Sequence, residues 1–412
     1  MRRVAITGIG VVSPLGNDCD AVFNAALSGR SAVGRLTDVM AERLRAPLAA
    51  VVQFDVAANF DPAKARMLDR ASQFAIVAAR CATVDAGLDL GDVDLDLAGV
   101  FVGIGMGGSI SMDDGYRTLY GEGSDRIKPL LILMGMHNAP AAWIGIENGF
   151  RGPNLTYSTA CSSSAVAIGE AWLRVASGSI EIALAGGTEA PLSLGSLKAW
   201  EAMHTLATVD LSDPSTSCKP FSADRSGMVL GEGSAMLVLE PWDHALARGA
   251  KIHGEILGYG LVTDASHIAK PSVEGQAAAM QAALRSAQLD PGRIDSINAH
   301  GTGTQANDAA ETAAIKRVFG ERASSIPVSA TKAMHGHLLG AAGALECVLS
   351  LLAMQRDAAL PTMHLLAPDP MCDLDYVPNV PRAGAAGQIM LSNSFAFGGT
   401  NAVLVLGHPA LT

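Results

Sequence analysis

Short runs of β-branched and apolar residues alternate along the chain with alanine-rich amphipathic segments. The runs typical of buried strands cover residues 4–12, 99–104, 180–185, 235–239, 252–260 and 294–299. A periodicity that switches repeatedly between strand and helix is typical of α/β proteins. The pattern therefore predicts an α/β fold in which helices cover a largely buried sheet.

The second half of this pattern repeats the first. Residues 252–260 form a second opening strand like 4–12, and 402–409 close the second half as 235–241 close the first. Arg248-Gly249-Ala250 ends a helical run between them. We therefore expect two related halves, 1–248 and 249–412.

The first apolar run follows two arginines, an arrangement also found in signal peptides. Its glycines and β-branched residues favour a buried strand instead. The longest uncharged apolar stretch, 129–146, contains His137, Asn138 and Pro140, which a lipid-facing helix tolerates poorly. We expect a soluble protein without a membrane span.

Composition narrows the function classes. Of the 412 residues, 49% are hydrophobic and only 17% are charged, so the chain can bury a large core. The net charge of -11 disfavours a nucleic-acid binder or a binder of anionic membranes. The six cysteines include no CxxC pair, which argues against a disulfide framework and favours the reducing cytoplasm.

Cys161 is the first candidate for chemistry. It lies in Ser158-Thr159-Ala160-Cys161-Ser162-Ser163-Ser164, where a strand meets a helix of small residues. Unpaired N–H groups and the helix dipole favour a thiolate at such a position. An inert buried cysteine is the alternative interpretation.

Two histidines are the next candidates. His300 ends an apolar strand before a glycine-rich turn. His337 precedes a small-residue helix and is predicted to be the counterpart of Cys161 in the other half. A structural histidine is the plainer interpretation of each. His335 and His337 resemble a metal pair, but no third ligand is nearby in sequence, so we expect no metal.

Glycine-rich segments occur at three further places in the chain. Gly301-x-Gly303 and Gly103-x-Gly105-x-Gly107-Gly108 lack the full dinucleotide fingerprint, so we expect no nucleotide cofactor. The pair Gly398-Gly399 follows Phe395-Ala396-Phe397 and can place a backbone N–H in a cleft, although such a pair is also a common turn.

Four of these blocks together resemble the signatures of elongating β-ketoacyl-[acyl-carrier-protein] synthases. They are residues 159–164, residues 299–304, residues 332–343 and residues 394–401, in family order over the whole chain. The resemblance implies a thiolase fold: two duplicated halves that form a five-layered αβαβα core, usually in a dimer. It also implies decarboxylative condensation of an acyl-cysteine with malonyl-carrier protein, without a cofactor.

The resemblance also assigns roles to residues. Cys161 would carry the acyl group, and its backbone N–H and that of Phe397 would hold the oxyanion. His300 and His337 would stabilise the enolate, with Lys332 and Glu346 organising them. Contacts with the substrate are expected from Met106, Phe395, Ala396, Phe397, Thr302 and Thr304.

Acyl carrier protein is the expected partner, in a homodimer or a heterodimer with a related chain-length subunit. Carrier proteins are acidic, so a basic rim is expected, with Lys64, Arg66, Arg70, Arg126 and Lys128 as candidates. A degradative thiolase would need a C-terminal Cys-x-Gly motif that 395–401 lacks, and a starter synthase would have asparagine where His337 stands.

Two positions depart from the pattern of primary fatty-acid synthases. Ala396 stands where glycine is common, and residues 303–311 lack the usual serine and Pro-x-Gly-Asp. These departures resemble synthases of bacterial polyketide and polyene pathways. The alternatives of fatty-acid and polyketide synthesis stay open.

Overall fold

The computed structural model describes residues 1–37, 40–91 and 93–411. Its strands are β1 Val4–Val12, β2 Val33–Arg35, β3 Leu48–Ala50, β4 Ala98–Gly103, β5 Asn154–Tyr157, β6 Ile182–Glu189, β7 Gly233–Pro241, β8 Gly254–Thr263, β9 Ser296–Asn298, β10 Val328–Ser329, β11 Ala358–Ala359, β12 Arg382–Ala383, β13 Ile389–Phe395 and β14 Thr400–Gly407. Its α-helices are α1 Cys19–Leu27, α2 Val56–Asn59, α3 Pro62–Ala65, α4 Arg70–Asp85, α5 Ser109–Tyr116, α6 Leu131–Gly135, α7 Ala139–Asn148, α8 Ser163–Ser177, α9 Leu194–Ala202, α10 Trp242–Ala247, α11 Val273–Ala287, α12 Gln305–Phe319, α13 Lys332–His335 and α14 Ala342–Gln355.

The strands predicted from the sequence are present, with ends shifted by a few residues. β1 coincides with the predicted run 4–12, and all nine of its residues are buried. Among the described residues, no helix combines the length and the apolar character needed to cross a membrane.

The strand order repeats within one ten-stranded sheet, β10-β9-β13-β14-β8-β1-β7-β6-β4-β5. Read outward from the centre, the N-terminal strands run β1-β7-β6-β4-β5 and the C-terminal strands run β8-β14-β13-β9-β10. Each half contributes five strands to this sheet. Numbered along the chain within each half, these strands lie in the same order in both: first, fifth, fourth, second and third. Within this sheet, the strands of the two halves meet in a short antiparallel pairing of Ala5 with Glu255 and Ile6 with Gly254.

Three hydrophobic cores separate the layers. The central core packs α8 and α14 between strands of both halves. One outer core packs α4 and α7 on the N-terminal strands, and the other packs α11 and α12 on the C-terminal strands. Along β7, Leu237 faces the central core and Val238 the outer one, as the alternation of a strand buried on both faces requires.

The central helices have little room for charge because strands of the two halves pack against them. In α14, all residues from Ala342 to Met354 are buried. The close packing depends on glycine: a Cβ on Gly103, at the end of β4, would lie 2.2 Å from the carbonyl carbon of Ser163. The first turn of α8 therefore rests directly on β4.

Candidate active site

Cys161 lies at the N-terminal end of α8. The 3-10 turn Ala160–Ser162 leads directly into that helix. Ala160 has a φ of 52°, in the left-handed region that non-glycine residues seldom adopt. The Ser163 hydroxyl holds this turn by accepting from the Thr159 N–H at 2.9 Å and donating to the Ala160 carbonyl at 2.6 Å. Cys161 therefore occupies the first turn of a helix, where backbone N–H groups lack helical partners.

The Cys161 thiol is protonated near neutral pH. Burial raises its pKa to about 12, although Lys332 and the backbone N–H groups of Phe397 and Cys161 act in the opposite direction. The expectation that the helix end alone favours a thiolate is therefore wrong. Removal of the sulfur from water outweighs the dipole.

His300 follows β9 in a turn held by two buried carboxylates from α12. Glu311 accepts the N–H of His300 at 2.8 Å, and Asp308 accepts the N–H groups of Thr302 and Gly303 at 3.1 and 3.2 Å. Burial raises the pKa of both carboxyls, and the N–H groups oppose it. The turn that carries His300 is thus fixed by side chains of the following helix.

Lys332 sets the proton position on His300. Its Nζ pairs with the Glu346 carboxylate, donates to the His300 carbonyl at 2.6 Å and lies 3.4 Å from His300 Nδ1. An ammonium group offers only hydrogens, so Nδ1 accepts and Nε2 carries the proton. Burial, followed by the charge of Lys332, lowers the pKa of His300 well below its ordinary value.

Glu346, the partner of Lys332, is also fully buried. Burial raises its pKa to about 7, and Lys332 opposes the shift. The predicted pair of Lys332 and Glu346 therefore lies beside His300, as two buried groups that depend on each other for compensation.

His337 is held by its backbone and by one ring nitrogen. Its N–H donates to the Val229 carbonyl at 2.7 Å, and Nδ1 accepts the N–H of Leu339 at 3.2 Å. Nε2 therefore carries the proton, and it has no hydrogen-bond partner among the described residues. Burial, followed by Lys332, lowers the pKa of His337 well below its ordinary value. His337 is a neutral donor with a free N–H.

The internal repeat aligns Cys161 with Gly340 and not with His337. The 3-10 turn Leu339–Ala341 leads into α14 as the turn around Cys161 leads into α8. Leu339 has a φ of 45°, matching the left-handed residue before Cys161. The predicted match of His337 with the nucleophile was wrong by three positions, because the sequence does not show where the turn begins.

The three candidate side chains meet in one place. The Cys161 sulfur and one ring nitrogen from each of His300 and His337 lie within 4.8 Å of one another. The two ring centroids are 5.3 Å apart, with planes at 82°. His335 instead contacts the Thr331 hydroxyl at 2.9 Å. The fold thus brings together His300 and His337, the two histidines expected beside Cys161, and leaves His335 outside this cluster.

The donor set of this cluster would suit a soft metal, but its hydrogen bonds do not. A metal-bound imidazole needs an acceptor for its second N–H. Nδ1 of His300 faces Lys332, and Nδ1 of His337 faces the Leu339 N–H. The geometry favours two N–H donors directed at an oxygen near the sulfur.

A cavity of about 120 Å³ opens in front of the cluster. It is lined by the predicted substrate residues Thr302, Thr304, Phe395, Ala396 and Phe397, with residues 267–271 opposite. The hydroxyls of Thr302 and Thr304 lie 2.9 Å apart. The backbone N–H of Phe397 contacts the Cys161 sulfur, which lowers the thiol pKa against the effect of burial.

Met106 lies away from this cavity. It packs with Cys161 and Phe397 in an apolar cluster, and its N–H donates to Glu189 Oε1 at 2.9 Å. Trp200 joins the same cluster, with its ring centroid 6.0 Å from that of Phe397. The sulfur therefore has a polar side toward the histidines and an apolar side toward Met106.

The predicted basic residues differ in their surroundings. Lys64 pairs with Glu147, and Arg70 donates to buried Glu232 at 2.6 Å. Arg66, Arg126 and Lys128 are exposed, and none forms an ion pair with a described residue. Of the five predicted basic residues, Arg66, Arg126 and Lys128 are therefore the ones whose cationic groups form no ion pair with a carboxylate of the described residues.

Three buried acids of the site were missed by sequence reasoning: Asp308, Glu311 and Glu189. The segment 305–311 was noticed only as a departure from a family pattern. A signal for Asp308 and Glu311 was present in the sequence: two acids lie near the start of a helix that follows a glycine-rich turn, where they can accept backbone N–H groups. Glu189 ends a strand, and its partners lie far away in sequence, so no local pattern marks it.

Comparisons with known proteins agree with this geometry. A family model for the β-ketoacyl synthase N-terminal domain matches residues 1–245, and one for the C-terminal domain matches residues 253–366. The chain is 44% identical over 403 residues to Nodulation protein E of Rhizobium meliloti (strain 1021), covering 98% of both. It is 41% identical over 407 residues to 3-oxoacyl-[acyl-carrier-protein] synthase 2 of Staphylococcus aureus (strain N315), again covering 98% of both.

Among solved structures, the ishigamide ketosynthase/chain length factor superposes with a TM-score of 0.92 at 35% identity, covering 99% of both chains. A superposition of this quality over both chains shows that the two proteins share one fold. The predicted thiolase fold is confirmed.

Proposed function

We propose a reaction for this chain, which belongs to the β-ketoacyl synthase family and is a condensing acyltransferase. In this proposal Cys161 carries the growing acyl group, and His300 and His337 activate malonyl-carrier protein. The observation that supports these assignments is the pair of neutral imidazoles within 4.8 Å of the sulfur. Each offers its Nε2–H to the same space.

The first step is transfer of the acyl group. The Cys161 sulfur attacks the carrier thioester, and the N–H groups of Cys161 and Phe397 donate to the oxyanion. The acyl–sulfur bond to the carrier breaks, and the thiol proton passes to the departing pantetheine sulfur. Because burial raises the pKa of Cys161 to about 12, deprotonation has to accompany attack.

The second step makes the carbon nucleophile. The Nε2–H groups of His300 and His337 donate to the malonyl thioester oxygen, which takes up negative charge as carbon dioxide departs. The resulting enolate carbon attacks the acyl group on Cys161. The carbon–sulfur bond breaks, and the released thiolate takes up a proton from solvent. Two neutral donors suit this step because they need not lose a proton to act.

Lys332 and Glu346 have a supporting role in this proposal. Lys332 fixes the Nδ1 side of His300, and Glu346 compensates the buried ammonium. Met106, on the apolar side of the sulfur, would contact the acyl chain, while Thr302 and Thr304 would contact the pantetheine arm from the cavity.

An acyl carrier protein is the partner in this scheme, as the names of the relatives imply for those proteins. Arg66, Arg126 and Lys128 are the proposed contacts, since their charges are exposed and unpaired. Lys64 and Arg70 stay weaker candidates because internal carboxylates hold them.

A second subunit is also proposed. Residues 116–146 expose a group of large apolar side chains, which are Tyr116, Tyr120, Ile127, Leu130, Ile132, Leu133, Met136 and Ile146. Exposed large apolar side chains concentrated in one segment are typical of subunit interfaces. The partner is a second copy or a related chain-length subunit, the arrangement named for the ishigamide ketosynthase.

We further propose a division of the chain at residues 248 and 249 and a cytoplasmic location. α10 ends at Ala247 and β8 opens the second set of strands at Gly254, which supports the division. Six free cysteines are consistent with a reducing compartment.

A panel of acyl-carrier proteins tests the pathway. We expect the enzyme to elongate unsaturated or β-keto acyl groups better than saturated chains of equal length, because residues 303–311 and Ala396 depart from the fatty-acid pattern. Measured kcat/KM values for matched saturated and unsaturated chains give the ratio. Efficient elongation of saturated chains alone would assign the enzyme to fatty-acid synthesis.

A further inference from the structure

Glu189 is a buried carboxylate that contacts three backbone N–H groups. Its Oε2 accepts from Gly105 at 2.7 Å and from Gly340 at 2.9 Å, and its Oε1 accepts from Met106 at 2.9 Å. Its side chain forms no ion pair among the described residues, and its exposure is 0%. Burial raises the pKa of Glu189 to about 7, and these three N–H groups oppose the shift by stabilising the carboxylate.

The contacts join segments that are far apart in the chain. Met106 lies in the apolar cluster beside Cys161, while Gly340 lies in the 3-10 turn that follows His337. A Cβ on Gly340 would lie 2.8 Å from Glu189 Oε2 and 2.5 Å from the Gly105 nitrogen. Glu189 and both glycines therefore fit together without spare space.

The link to catalysis runs through Leu339. Leu339 has a φ of 45°, a conformation that a branched residue keeps only where its surroundings impose it. Its own N–H donates to His337 Nδ1, and the next N–H, from Gly340, donates to Glu189. The carboxylate thus holds the turn in the conformation that leaves the proton of His337 on Nε2.

We propose that Glu189 is a positioning residue that couples the Met106 segment to the orientation and tautomer of His337. It forms no hydrogen bond with the sulfur or the imidazole among the described residues, and we assign its effect on decarboxylation to Leu339 and Gly340. The charge of Glu189 also raises the pKa of the Cys161 thiol, behind the larger effect of burial. The proposal rests on the function proposed above.

The test compares Glu189→Gln and Glu189→Ala with the parent in two reactions. In Glu189→Gln the amide oxygen can still accept from Gly105 and Gly340, while its NH2 group faces the Met106 N–H. We expect malonyl-carrier decarboxylation to fall about tenfold to a hundredfold in Glu189→Ala and less in Glu189→Gln, with acylation of Cys161 changed far less.

Glu240→Gln is the matched control, because Glu240 is equally buried but contacts Thr7, His244 and Arg248. The control should leave the ratio of decarboxylation to acylation unchanged. Equal loss of both reactions in the Glu189 variants, or no loss, would overturn the proposal.

A spectroscopic measurement separates this proposal from the function itself. The 15N chemical shifts of the His337 ring, assigned by comparison with His337→Ala, should report protonated Nε2 in the parent and a mixture of tautomers in Glu189→Ala, which loses the contact with the Gly340 N–H. Parent-like shifts in the variant would contradict the coupling. If the parent enzyme shows no decarboxylation, the proposed function fails, while the shifts still decide the role of Glu189.

Discussion

Proton positions control the chemistry around Cys161. Both imidazoles accept at Nδ1, one facing Lys332 and the other the Leu339 N–H. The same burial that keeps them neutral also keeps the thiol protonated. The site is therefore arranged for donation to an oxygen, and it offers no strong resident base for the thiol.

Replacement of His337 tests this arrangement. We expect His337→Ala to reduce malonyl-carrier decarboxylation by about a hundredfold or more, since a single oxyanion donor contributes that much elsewhere, and to leave Cys161 acylation largely intact. Carbon dioxide release and covalent labelling measure the two steps. His267→Ala, which alters the cavity wall, is the control, and parental decarboxylation in His337→Ala would show that the donor lies elsewhere.

His335 predicts a pH dependence of stability. Burial, followed by Lys332, lowers its pKa to about 3, whereas in the unfolded chain it is about 6.5. Below pH 6.5 the unfolded state binds a proton that the folded state refuses, so His335 makes the protein less stable as pH falls toward 3.

We expect His335→Gln to remove this contribution. Its free energy of unfolding, relative to the parent, should improve by about 1.4 kcal/mol between pH 8 and pH 5.5. Urea unfolding at both pH values provides the measurement. A constant difference between variant and parent would mean that folded His335 is protonated as readily as unfolded His335.

The helices and strands show what local sequence can and cannot predict. The buried strands were found because β-branched runs such as 4–12 carry their own signal, and the duplicated order of strands explains the repeated pattern. The N–H partners of Glu189 were not found, because they come from residues 84 positions before it, 83 before it and 151 after it. The His337 alignment failed for a similar reason, since a left-handed Leu339 leaves no mark in the sequence.

The close contact between β4 and α8 predicts that a methyl group added at Gly103 lowers the stability of the protein. We expect Gly103→Ala to destabilise the protein by about 1–3 kcal/mol and to slow Cys161 acylation, because its Cβ would collide with Ser163 and Ser164. Gly34→Ala is the control, since its Cβ would have no atom within 4 Å. Thermal unfolding measures the stability, and the rate of Cys161 acylation measures the effect on the site. A Gly103→Ala variant with the stability and acylation rate of the parent would show that α8 can shift freely.

At the scale of the whole molecule, the proposed catalytic residues lie between two copies of one strand pattern. The sulfur comes from the N-terminal half and both imidazoles from the C-terminal half, so the site depends on the packing of α8 against α14 in the central core. In our proposal, the exposed apolar side chains of residues 116–146 contact a second subunit.

A charge in that surface should prevent assembly. We expect Ile132→Asp to shift the protein from dimer to monomer, because Ile132 is 65% exposed within the apolar group and a buried unpaired carboxylate is costly. Leu211→Asp is the control at a site 90% exposed and outside the group. Sedimentation velocity measures the result, and an unchanged dimer in Ile132→Asp would place the interface elsewhere.

The central claim is that Cys161 holds the acyl group while the two histidines act on the malonyl unit. Intact-protein mass spectrometry after incubation with acyl-carrier protein tests it most directly. We predict a mass increase equal to one acyl group on the parent and on His337→Ala, and none on Cys161→Ala. An acyl group retained by Cys161→Ala, or a parent that condenses without ever carrying one, would contradict the account.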